Sequence, residues 1–196
     1  MQLAEDNSNN AHRTFSTPTN NSGSAASNRS WLAAACLLLL TTVPAGASGN
    51  DFALPSITDP NDLVRLADYQ GKAVYLDFWS SWCAPCRESL PLLQTLEEEL
   101  SGQPFAVVTV TLDAHPSDAR KLVDEFSLRY PVASDISGRV AKSFGLVTLP
   151  TAYLISRDGT RRTELPLLTS DSYSDILALA SAAASAKPPQ QLAELR

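Results

Sequence analysis

One stretch constrains this chain more than any other: Tyr75-Leu76-Asp77-Phe78-Trp79-Ser80-Ser81-Trp82-Cys83-Ala84-Pro85-Cys86-Arg87. It begins inside a near-continuous apolar run, Ala73 to Trp79, that follows a turn at Tyr69-Gln70-Gly71-Lys72. A run of that length and composition fits a central strand buried on both faces. An aromatic corner and two cysteines two residues apart come next. From Glu88 to Leu100, Leu93, Leu96 and Leu100 recur at helical spacing, with Glu97, Glu98 and Glu99 on the solvated side. Pro91 lies inside that pattern and is expected to kink the helix. A strand that turns into a helix with Cys-x-x-Cys at the turn is a redox arrangement before it is anything else.

The remaining pattern alternates strands and helices. Asn50 to Ile57 is an extended lead-in, and Leu63 to Leu66 a short strand. Phe105 to Leu112 reads as a second core strand. Ser117 to Arg129 reads as an amphipathic helix with Leu122, Val123 and Phe126 inward. Pro131 to Ala133 is a short strand and Val140 to Phe144 a short helix. Thr151 to Ser156 and Thr160 to Leu165 pair across the turn Arg157-Asp158-Gly159. Ser172 to Ala186 closes the domain. The fold class is therefore α/β, a mixed central sheet flanked by helices.

The N-terminal quarter is of another kind. Residues 1–30 are rich in Asn, Ser and Thr and are expected to form a disordered leader, because they hold too little apolar surface to offset chain entropy. In residues 31–47, Trp31 to Val43 is apolar, Arg29 precedes it and Ala45-Gly46-Ala47 follows. That sequence of features describes a secretory signal peptide cut after Ala47, or an uncleaved membrane anchor. The run is short for a spanning helix, which needs roughly 20 apolar residues. The expected domain covers residues 51–186, and 187–196 form a tail. The chain is exported on this reading, to the periplasm or another extracytoplasmic space. Removal of the segment carrying Cys36 leaves Cys83 and Cys86 as the only cysteines. The net charge of −6 comes without a basic patch, which argues against nucleic acid as a partner.

The chemistry follows from thiolate stability. A free thiol titrates near about 8.5, and a helix N-terminus favours the anion through its unpaired N–H groups. Cys83 occupies that position, so it is the expected nucleophile. Cys86 lies one turn further in and is the expected resolving cysteine. Ala84 bears no charge, and Pro85 lacks an N–H that would help hold a thiolate. Moderate acidification of Cys83, and a lean toward reductant, are expected. Asp77 stands in the middle of an apolar strand. Burial raises a carboxyl pKa, which suits a proton acceptor for the resolving thiol. Trp82 beside the first cysteine is a candidate surface contact, and Leu149-Pro150-Thr151 opens a strand where proline is tolerated. Zinc usually takes four ligands, whereas the exported domain offers this one pair and His115. No metal or other cofactor is expected, since the cysteine pair itself carries the electrons.

With those residues placed, the chain resembles the thioredoxin superfamily. Asp77 to Arg87 is similar to the family's active-site block, with the acid six residues before the first cysteine, and Pro91 falls where the family has its helix-kinking proline. Leu149-Pro150-Thr151, an apolar strand and Asp158-Gly159 look like its cis-proline loop and hairpin. Within the superfamily the chain looks most like the exported TlpA/ResA/CcmG type. The stretch between Leu112 and Pro150 has room for an extra helix and strand inserted before the cis-proline loop. The resemblance implies an extracytoplasmic thiol reductase. It would act on oxidised partner proteins of cytochrome c or metalloprotein assembly and be re-reduced by a membrane-bound electron donor. Trp82, Ala84, Pro85, Leu149 and Pro150 would form the substrate contact. Leu149 is bulkier than the Thr or Val usual before that proline, which bears on redox poise. Two alternatives stay open: a disulfide oxidase or isomerase, and a copper or haem chaperone that uses the dithiol as ligands.

Overall fold

The structure is a computed structural model that describes residues 51–59, 61–160 and 162–187. The polar leader, the 31–47 segment and the tail beyond Lys187 lie outside the described residues.

The apolar run forms strand β3, Ala73–Trp79, and all of its residues are buried. It is the middle strand of a five-stranded sheet completed by β4 (Phe105–Thr111), β5 (Val132–Ser134), β6 (Thr151–Ile155) and β7 (Arg162–Leu165), in the order β5-β4-β3-β6-β7. β3 and β4 pair in parallel from Ala73↔Phe105 to Trp79↔Thr111. β6 runs antiparallel on the other side, with Phe78 opposite Thr151. β5 is parallel to β4, and β7 antiparallel to β6. The mixed sheet expected from the sequence is present.

Residue parity sorts the two faces, because strand side chains alternate. Tyr75 and Trp79 share one core with Leu90, Leu93 and Leu96 of helix α1 (Ala84–Glu99), Leu122 and Val123 of α2 (Pro116–Glu125), and Ile176 and Ala180 of α4 (Tyr173–Ser185). Val74, Leu76 and Phe78 face the other way, onto Ala141 of α3 (Arg139–Ser143), Phe144 and a small hairpin of β1 (Ala53–Pro55) and β2 (Leu63–Arg65). Between β4 and β6 the chain builds α2, β5 and α3, in the stretch where an extra helix and strand are expected. Ser56 bridges Ala133 and Ile57 N–H donates to the Val132 carbonyl, so the lead-in covers the β5 edge. An uncovered edge would be open to pairing with another chain.

Two element boundaries differ from those read off the periodicity. α1 begins at Ala84 rather than Glu88, because Ala84-Pro85 fills first-turn positions where a missing N–H costs nothing. Pro91 then sits inside one continuous helix. α2 spans Pro116–Glu125 instead of Ser117 to Arg129: Ser127 has φ 52°, a left-handed conformation that ends the helix.

Candidate active site

The ends of five strands define the site. Trp79, Thr111, Ser134, Thr151 and Leu165 all lie at one end of the sheet by register, so the segments 80–83, 112–115, 135–138, 147–150 and 166–168 gather there. Cys83 is the N-cap of α1, and Cys86 lies in its first turn. The two form a disulfide with Cα atoms 5.3 Å apart. Cys86 N–H donates to Cys83 Sγ at 3.3 Å, the cap bond that a thiolate at this position would accept. Cys83 keeps 5% of its surface exposed and Cys86 none. Ala84 and Pro85 are exposed, and Trp82 is 73% exposed.

Asp77 faces the α1 side of the sheet, as parity with Tyr75 and Trp79 requires. It is 3% exposed, and its Oδ2 has no hydrogen-bond partner among the described residues. Burial alone pushes its carboxyl up to about 8, within reach of a thiol's ordinary value. A narrow cleft reaches it, lined by Tyr75, Asp77, Ser89, Pro150, Leu167 and Leu168, with room for about one water. Ser89 ties that wall to the cysteines by donating to the Cys86 carbonyl at 2.9 Å. Tyr130 O–H donates to the Leu90 carbonyl at 3.0 Å, beside Pro91. The Leu149–Pro150 bond is cis, and both residues are half-buried at the same end of the sheet. Cys83, Cys86, Asp77, Trp82, Ala84, Pro85, Leu149 and Pro150, separated in sequence, are thus brought to one end of the sheet. His115 is exposed in the loop before α2. Among the described residues, no three His, Cys, Asp or Glu side chains group as a metal site would need.

The sequence reading missed a second buried acid. Asp113 follows β4, is 3% exposed, and accepts from Ser80 Oγ (2.6 Å), Ser81 N–H (3.0 Å), Ser81 Oγ (2.9 Å) and Thr111 Oγ1 (2.9 Å). Those donors include both residues that link β3 to Trp82. Cys83 N–H in turn donates to the Ser80 carbonyl at 3.0 Å.

Six large apolar side chains stand exposed among the described residues, and four of them, Trp82, Ile136, Val147 and Leu167, lie in the loops at the disulfide end. An apolar rim concentrated around one polar chemistry is the surface a protein partner would cover.

Comparison with known proteins agrees with this geometry. The AhpC/TSA family model matches residues 45–162. The thiol-disulfide oxidoreductase ResA of Bacillus thuringiensis subsp. konkukian is 32% identical over 96 residues, which is 49% of this chain and 56% of that protein. ResA of Oceanobacillus iheyensis is 34% identical over 116 residues, 58% of this chain and 60% of its own. The chain therefore spans little more than half the length of these curated relatives. A Chlorobium tepidum structure described as a thiol:disulfide interchange protein DsbE superposes with a TM-score of 0.64 at 34% identity, over 69% of this chain and 94% of that one. A secreted thiol-disulfide isomerase from Corynebacterium glutamicum gives 0.62 at 27% identity, over 69% and 84%. The chain belongs to the AhpC/TSA family, and its described domain has the thioredoxin-like fold of the ResA and DsbE proteins.

Proposed function

We propose that this chain is an extracytoplasmic thiol-disulfide oxidoreductase that reduces disulfides of partner proteins through Cys83 and Cys86. The observation that carries the reading is the disulfide at the N-terminus of α1, with Cys83 5% exposed, Cys86 fully enclosed, and at the same end of the sheet a buried carboxyl, Asp77, with one oxygen unpartnered. In the reduced enzyme the Cys83 thiolate attacks one sulfur of the partner's disulfide. A mixed disulfide forms and one partner thiolate leaves. Cys86 then loses its proton and attacks Cys83 Sγ, which closes the Cys83–Cys86 disulfide and frees the second partner thiolate. Two electrons and two protons pass to the partner. Asp77 accepts the Cys86 proton, directly or through a water in the cleft; a carboxyl near 8 is matched to that transfer. Trp82, Ala84, Pro85, Leu149 and Pro150 form the partner contact. A membrane-bound electron donor restores the dithiol, and the partners are proteins of cytochrome c or metalloprotein assembly, as the resemblance to the TlpA/ResA/CcmG type implies. Export rests on the 31–47 segment, as a cleaved signal or an anchor.

An oxidase or isomerase would use the same couple in the other direction, and the relative described as a secreted isomerase favours keeping that reading in view. A glutathione titration separates the two. Thioredoxin-like couples run from about −270 mV for a reductant to about −120 mV for a strong oxidant. We expect a value in the reducing half; one near the oxidising end overturns the reductase assignment. Asp77→Asn should slow the resolving step without unfolding the domain, and an unchanged rate would leave Asp77 a structural acid.

A further inference from the structure

We propose that Asp113 is a positioning residue for the reaction: it fixes the turn that carries Cys83, and its buried negative charge disfavours the Cys83 thiolate enough to keep the couple reducing. This rests on the Cys83/Cys86 couple being the working one, as proposed above.

The turn 80–83 has no place in either ladder or helix, so its backbone groups need other partners. Asp113 supplies them. Ser81 N–H, which can only donate, points at both carboxylate oxygens, at 3.1 and 3.0 Å. Thr111 Oγ1 accepts from Asp113 N–H at 3.2 Å, which leaves its hydroxyl hydrogen to donate to Oδ2. With Ser80 Oγ and Ser81 Oγ, four donors converge on one buried carboxyl, the pattern of an ionised, acceptor-only group. The clasp joins the end of β4 to the first half of the turn. The Cys83 N–H to Ser80 carbonyl bond closes the second half. Cys83 Sγ is thereby held where it receives the Cys86 N–H.

The charge has a further consequence. A fixed anion hydrogen-bonded to the same turn disfavours a second anion, so it raises the pKa of Cys83. It opposes the helix N-terminus, which stabilises the thiolate. Destabilising the thiolate destabilises the reduced state, and a couple with a less stable reduced state is the stronger reductant. Asp77 shares a cleft with Ser89, which donates to the Cys86 carbonyl, and on the proposed reading manages a proton. Asp113 holds the turn that leads to Cys83 and, on this proposal, sets its poise.

The test uses two changes with opposite expected signs. Asp113→Asn removes the charge and keeps the shape. The double variant Ser80→Ala, Ser81→Ala keeps the charge and removes two of its hydroxyl donors, so the anion is less compensated. Cys83 reactivity toward iodoacetamide is measured against pH. The couple is also equilibrated with glutathione, where each protein dithiol gives two electrons and two protons to one glutathione disulfide and yields two glutathiones. In Asp113→Asn we expect the alkylation midpoint to fall and the equilibrium to move toward the dithiol by about tenfold, near 30 mV for this two-electron couple. In the serine variant we expect the midpoint to rise. If both midpoints stay at the wild-type value, or move in the same direction as simple loosening of the turn would make them, the proposal is overturned. Should Asp113→Asn not fold, the serine variant decides alone, since only a rise supports the proposal. A wild-type potential at the oxidising end would sink the reductase reading, while these shifts between variants would still report on Asp113.

Discussion

Two aspartates are equally buried at the disulfide end of the sheet, and their surroundings are opposite. Asp77 projects from the middle strand into an apolar floor, with one oxygen unpartnered. Asp113 follows the neighbouring strand and is met by four donors. On the reading proposed above, the floor keeps a proton available, while the clasp ties a loop to the end of β4. Burial alone therefore does not tell what an acid is for; the count of donors around it does.

The largest expected contrast is in stability against pH. The folded chain holds the Asp77 proton more tightly than the unfolded chain, whose carboxyl titrates near about 3.9. The contribution of this one group is therefore fully present below about pH 4 and is lost as pH rises toward 8, by up to about 5 kcal/mol at full ionisation. Asp77→Asn should abolish that slope and be the more stable protein at pH 9. Urea midpoints across pH 4–9 measure it, and parallel profiles for the two proteins would contradict a floor that disfavours the charge.

At the clasp, a deletion acts the other way. Asp113→Ala leaves a buried N–H and three hydroxyls without their acceptor and should lower stability by about 2–4 kcal/mol, seen as a lower urea midpoint at unchanged slope. A midpoint within error of wild type would mean that water replaces the carboxylate. Tyr130→Phe removes one bond to the helix backbone beside Pro91 and should cost about 1 kcal/mol by the same measurement.

The smallest stability effect belongs to Trp82→Ala, within about 0.5 kcal/mol, because the side chain is 73% exposed. Its loss should appear in turnover, with insulin disulfides reduced several-fold more slowly and glutathione disulfide much less affected. Equal effects on both substrates would remove Trp82 from the partner contact.

The two acids also show what the sequence could reveal. Asp77 was legible because an acid inside an apolar strand breaks the local pattern, and parity then assigns it to the α1 face. Asp113 was not legible. Leu112-Asp113-Ala114-His115-Pro116 reads as an ordinary polar connection before a helix. Its role depends on the register Trp79↔Thr111, which places it behind a turn 32 residues earlier. Long-range pairing of that kind has no local signature. The sheet, the helix order and the cysteine turn were readable from runs and spacings. The cis bond at Pro150 was implied only by resemblance, and the end of α2 escaped because the half-buried Phe126 carries the apolar stripe past Glu125, where the helix ends, just before Ser127 turns left-handed.

The central claim is the division of labour between the cysteines, and trapping tests it most directly. Reduced Cys86→Ser protein, mixed with a disulfide-bonded substrate such as insulin, should accumulate a mixed disulfide through Cys83, because the resolving thiol is gone. Reduced Cys83→Ser protein should accumulate none, because Cys86 has no exposed surface. Adducts from Cys83→Ser, with none from Cys86→Ser, would contradict the account.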